Sequence, residues 1–108
     1  MVNSVIFYLE GLRNGVFKLL PMREDYDLGT NNHLDEYLVN LSVSIAGAFE
    51  CYPELSYERE IVEVMTNIAY LSGTPNVEFA RWRSIVLRSV RLISQVINRG
   101  SEEVSSCQ

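Results

Sequence analysis

Residues 77–99 read VEFARWRSIVLRSVRLISQVINR, and this stretch decides the fold. Trp82, Ile85, Ser89, Leu92 and Val96 recur at steps of three and four residues, so a helix stacks them on one face. Phe79, Val86, Val90, Ile93 and Ile97 form a second stripe beside the first. Together they cover about two thirds of the circumference, more than one neighbouring helix can bury. Such a helix is either the central member of a bundle or carries apolar surface left over for a partner chain. Arg81, Arg88 and Arg91 share the remaining stripe, with Arg83 beside them.

These arginines stand out against an acidic background. Residues 1–79 hold 4 Lys and Arg against 12 Asp and Glu, a balance of −8, whereas residues 80–108 hold 5 against 2, a balance of +3. The last helix is therefore expected to find its counter-charges within its own fold or on a sister subunit, with Glu58, Glu60 and Glu63 the nearest partners.

Three further helices are expected upstream. Val5, Leu9, Leu12, Val16, Leu19 and Leu20 keep helical spacing, weakened by Gly11 and Gly15 and ended by Pro21. Arg23 to Asn32 is polar and rich in turn formers, and reads as the longest loop. Asn31 or Asn32 caps the second helix, Asp35 and Glu36 occupy its first turn, and its buried stripe is Leu34, Tyr37, Leu38, Leu41, Ile45, Ala48, Phe49 and Tyr52. Ala46, Gly47 and Ala48 offer a patch for close packing, Cys51 falls where a small buried residue belongs, and Pro53 closes the helix. Ser56 is the expected cap of the third helix, with Glu58 and Glu60 in its first turn, Ile61, Val64, Met65, Ile68 and Leu71 on its inner stripe, and Gly73 as its stop. Thr74 and Pro75 read as cap and first residue of the fourth, which Gly100 ends. The expectation is an all-α, four-helix antiparallel bundle forming a single domain over 1–100, with 101–108 as a flexible tail.

At 108 residues, with 47% apolar and 21% charged side chains, the chain can bury one modest core. A net charge of −5 and a pI near 4.8 oppose general nucleic-acid binding, which draws its affinity from cations on phosphates. Cys51 and Cys107 have neither metal spacing nor a bridged framework, and no basic leader or apolar span opens the chain, so a cytoplasmic protein without membrane contact is expected.

Catalytic motifs are lacking. The lone histidine, His33, lies beside Asp35 and Glu36 without a nucleophile elbow, and reads as a surface capping residue. His33 with Glu36 lacks the second pair that a helical metal centre needs, and Glu24, Asp25 and Asp27 do not continue into a calcium loop. The segment from Gly11 to Gly15 lacks the Gly-Lys-Ser/Thr ending of a phosphate loop. No enzyme, metal or cofactor is expected. Six tyrosines, at positions 8, 26, 37, 52, 57 and 70, suit half-buried seams or interfaces.

The stretch Lys18-Leu-Leu-Pro-Met-Arg-Glu-Asp-Tyr26, followed by Asn32-His-Leu-Asp-Glu-Tyr-Leu38, resembles small helical proteins carried by phages and integrative elements of Gram-positive bacteria. The likeness covers the layout of residues 12–95 and carries over no functional residue. It implies action by binding, as an assembly adaptor or an inhibitor of a host system.

The leading expectation is a non-enzymatic interaction or adaptor protein. It forms a homodimer or larger assembly, or binds another protein, through Phe79, Val86, Val90, Ile93 and Ile97. The alternatives are a nucleic-acid-binding regulator with Arg81, Arg88 and Arg91 on phosphates, and an inhibitor whose acidic face of Glu58, Glu60 and Glu63 occupies a basic groove in a host nuclease or defence protein.

Overall fold

The last helix organises the rest. In the computed structural model, which describes residues 2–30 and 32–106 and side chains through Ser101, α1 spans Asn3–Phe17, α2 Leu19–Asp27, α3 Leu34–Cys51, α4 Arg59–Gly73 and α5 Phe79–Ser106. A 3₁₀ turn at Pro53–Tyr57 joins α3 to α4. At about 1.5 Å per residue, α5 accounts for most of the 50 Å long axis. It packs along α1 on one side and α4 on the other, and α4 packs along α3.

Side-chain pairing shows the directions. Tyr8 meets Ser44 and Tyr37 meets Gly15, so α1 and α3 run antiparallel; Glu63 meets Arg88 and Glu60 meets Arg99, so α4 and α5 do as well. With α1 and α2 as two arms of one kinked helix, the expected all-α four-helix bundle is the architecture found.

Both apolar stripes of α5 enter the core. Trp82, Ser89, Leu92 and Val96 are buried, and so are Val86, Ile93 and Ile97 of the second stripe. Enclosing each large aliphatic side chain is worth roughly 1.5–3 kcal/mol, which makes α5 the central member of the bundle. Buried Ser89 is satisfied twice: its hydroxyl donates to the Ile85 carbonyl at 2.9 Å and accepts from Asn67 Nδ2 at 3.1 Å.

Several boundaries differ from expectation, each for a local reason. Pro21 does not end the first segment. The chain kinks at Lys18 and restarts, which puts Pro21 third in α2, where N–H groups have no intrahelical partner to lose. Arg23 to Asp27 is therefore helix and not loop, held by a paired contact of Arg23 Nε with both Asp27 oxygens at 3.0 Å. Gly29 then closes α2 at φ +78°, its N–H on the Tyr26 carbonyl and the Thr30 N–H on that of Asp25.

Other expected caps also shift. His33 holds the N-cap position of α3 but makes no side-chain cap; Asn31 lies outside the described residues. Ser56 turns back onto the Pro53 carbonyl at 2.7 Å inside the 3₁₀ turn, and Glu58 precedes α4. Thr74 and Pro75 form a turn rather than a helix start, because Asn76 adopts φ +59°, buried Val77 anchors the strap, and Arg23 Nη2 holds the Val77 carbonyl at 2.8 Å. The same guanidinium stacks 4.9 Å over the Trp82 ring. Gly100 does not stop α5, which continues to Ser106; Cys107 and Gln108 lie outside the described residues. Cys51, Ala46 and Gly47 are exposed, with only Ala48 of the small-residue patch turned inward, and Met65 is likewise exposed.

Candidate interaction site

The bundle closes tightly around α5 and loosely opposite it. Between α1 and α3 the contact rests on side chains that reach across. Tyr37 Oη donates to the Gly15 carbonyl at 2.5 Å, and Tyr8 Oη lies 3.4 Å from both the carbonyl and the hydroxyl of Ser44. Burial raises both phenols above their ordinary pKa, so each stays a neutral donor. Two glycines of α1 play opposite parts here. A Cβ on Gly15 would meet Tyr37 Oη at 3.4 Å and Leu41 Cδ1 at 3.7 Å, whereas one on Gly11 would stand in open space.

That space is a groove of about 770 Å³. Phe7, Tyr8 and Leu12 of α1 and Leu41 and Tyr52 at α3 give it apolar walls, with Asn3, Ser4 and Ser44 as its polar contributions. The Tyr8 and Tyr52 rings sit 6.2 Å apart at 41°. Phe7 is 79% exposed, and Val39 and Val43 stand exposed elsewhere on α3. None of the acids of α1 and α3 lines the groove: Asp35 lies in a separate depression with Arg23 and Trp82, and Glu36 sits beside His33. The chain has no Lys or Arg from Glu24 to Glu58.

The residues singled out by sequence lie elsewhere. Val86, Ile93 and Ile97 are buried in this chain's own core and offer nothing to a partner; Val90 is half-buried and Phe79 37% exposed. This corrects the expected α5 interface. The wide apolar arc is consumed because α1 and α4 flank α5 from both sides.

The charge expectation fares differently. Arg88 pairs with Glu63, its Nη2 3.1 Å from Oε1, and Arg99 reaches Glu58 at 2.7 Å and Glu60 at 3.0 Å. These hydrogen bonds hold the carboxyls of Glu60 and Glu63 below the ordinary range. Arg81 stacks over Tyr70 at 5.4 Å. Exposed Arg83 and Arg91 line a shallow depression with Arg88 and Leu87. Glu58, Glu60 and Glu63 are thus matched by α5 cations and do not form a continuous bare acidic face.

His33 lies on the surface, its Nδ1 3.7 Å from Glu36. Among the described residues no three of His, Cys, Asp and Glu converge as metal ligands, and no helix is long and apolar enough to cross a membrane. Phe7 escaped the sequence reading because it lies off the dominant stripe of its helix, while Tyr8 was read only as one of six seam or interface tyrosines and Gly11 only as a weak point of the helix. The available signal was a large aromatic left over once Val5, Leu9, Leu12 and Val16 had been assigned inward. No protein-family model, no curated protein and no solved structure matches this chain.

Proposed function

We propose that this protein is a non-enzymatic helical interaction protein whose docking face is the groove between α1 and α3. The observation that carries it is a cleft sized like a binding pocket, walled by aromatic and aliphatic side chains, with Phe7 at its rim almost fully in solvent. Action by binding is also what the resemblance to small helical proteins of mobile elements implies. The exposed free thiol of Cys51 fits a reducing, cytoplasmic setting.

The test places a photo-cross-linking amino acid at Phe7 and, as control, at Arg91. The expected result is a discrete protein adduct from position 7 alone, suppressed when Gly11→Leu fills the groove. An adduct with a second copy would identify the assembly as a homo-oligomer. No adduct at position 7 would overturn the reading.

A second reading rests on the depression that Arg83, Arg88 and Arg91 share on α5. It makes the chain a nucleic-acid-binding regulator using Arg81, Arg88 and Arg91. The internal engagement of Arg88 and Arg81 weighs against it, as does the net charge. Salt-sensitive binding of oligonucleotides that is lost in Arg91→Ala would favour it over the groove.

A further inference from the structure

Beyond the α1/α3 groove, we infer that copies of this chain dock head to tail, the outward stripe of α3 on one copy seated on the cationic α1–α5 seam of the next. The receiving surface lies where α1 meets α5. Arg83, Leu87, Val90 and Ser94 follow at steps of four, three and four, so they share one stripe of α5, from which Arg88 and Arg91 are turned away. Arg13, Phe17 and Lys18 of α1 wall a depression of about 340 Å³ with Val90, and Arg13 Nη1 reaches the Ser94 hydroxyl at 3.4 Å. Phe17, Lys18 and Arg83 are exposed, and Leu87 and Val90 are half-buried. No carboxylate lines this depression or the one that Arg83 and Leu87 share; Glu10, a turn before Asn14, lies outside both. Arg13, Lys18 and Arg83 thus frame Phe17, Leu87 and Val90 over about 17 Å of α5, from Arg83 to Ser94.

The chain carries the counterpart of this surface on α3. Glu36, Val39, Val43, Gly47 and Glu50 are all exposed and recur at helical spacing, on a different side of α3 from the groove residues Leu41 and Ser44. Val43 is 65% exposed, and a Cβ on Gly47 would meet nothing. The stripe is apolar in the middle and acidic at both ends, and no Lys or Arg occurs from Glu24 to Glu58. Glu36 and Glu50 stand about 21 Å apart, a span that the long side chains of Arg83 and Arg13 can reach from either end of theirs.

Sign and symmetry select the occupant. A two-fold contact of either surface would set like charges together, cations on cations at the seam or Glu36 on Glu50 at α3, whereas the two different surfaces attract. A phosphate polymer or an anionic bilayer would match the cations but meet repulsion from a body with a net charge of −5. A second copy brings acids and valines together on one exposed stripe. Because the two surfaces differ, the contact is heterologous and repeats from copy to copy, as a ring or an open chain.

The experiment follows sedimentation of the full chain at rising concentration and at two salt levels. The expected mass climbs past that of a dimer and falls with salt. Lys18→Glu with Arg83→Glu, or Glu36→Lys with Glu50→Lys, should each weaken association by at least about tenfold, and all four side chains are exposed. An equimolar mixture of the two double variants should associate again, since each supplies the surface the other lacks, and that recovery also shows both to be folded. Phe17→Ser, an uncharged probe of the same seam, should weaken association by about tenfold, and Gly11→Leu should leave it unchanged. A parent that stays monomeric would overturn the proposal, as would double variants that associate like the parent or a mixture that fails to recover while Phe17→Ser also has no effect. A dimer that grows no further and survives in both double variants would replace it with a two-fold contact elsewhere. Dissociation by Gly11→Leu would overturn it in favour of self-association through the groove.

Discussion

The seam between α4 and α5 and the seam between α1 and α3 are made from similar residues and end differently. At the first, the aliphatic stripes interdigitate, Asn67 and Ser89 satisfy each other in the interior, and Arg88 and Arg99 neutralise Glu63, Glu58 and Glu60 at the edge. At the second, two tyrosines span a gap, no ion pair bridges the helices among the described residues, and a cleft stays open. A seam closed in both apolar and ionic terms is stability. A seam that leaves a cleft open is the surface on which the proposed docking rests.

The largest effect is expected at the closed seam. Ile93→Ala removes a fully buried side chain from the core face of α5 and should cost about 2–5 kcal/mol in urea unfolding. Phe7→Ala at the open seam should stay within about 0.5 kcal/mol of the parent, since the ring is mostly in water already. A comparable loss at both positions would break the contrast.

The two glycines sharpen it. Gly11→Ala should stabilise by about 0.5–1 kcal/mol, because a flexible helix-interior residue gains a β-carbon that meets nothing. Gly15→Ala gains the same propensity while its Cβ reaches van der Waals contact with the Tyr37 hydroxyl that bridges the seam, so it should stabilise by no more than Gly11→Ala. Thermal melts of the two variants compare them directly.

A modest effect concerns acid. Glu60 and Glu63 have folded-state pKa values below the ordinary 4.5, so folded chains bind fewer protons than unfolded ones in that range. Their contribution is therefore complete above about pH 4.5 and disappears as pH falls through the lowered values. Arg99→Ala should cost at most about 1 kcal/mol at pH 7, as exposed pairs do, and should flatten part of the loss of stability on acidification. An unchanged acid slope in guanidinium-free thermal melts would show that these pairs do not contribute.

Much of the architecture was legible because helical periodicity is local. The inward stripes of α3 and α4 follow from their spacing, with Met65 the exception, and the pairing of α5 cations with the acids of α4 follows from their opposite signs on consecutive helices. The misreadings share a cause as well. Pro21, Ser56, Thr74 and Gly100 are strong local signals, but each was outweighed by what the neighbouring chain does: a kink that absorbs the proline, a 3₁₀ turn that recruits the serine, a strap held by Arg23, and packing that carries α5 past a buried glycine.

Apolar spacing and charge order already require an all-helical chain, four amphipathic segments sharing one core, and a charge divided between an acidic body and a basic last helix. Those properties depend on residue order and sign alone. Tertiary structure alone decided which apolar surface stays uncovered. A helix shows every stripe in its sequence, but whether a stripe is buried depends on how closely all its neighbours approach at once. Here α5 has a neighbour on either side and loses both stripes to the core, while α1 and α3 stand far enough apart to leave Phe7 and Gly11 facing open space.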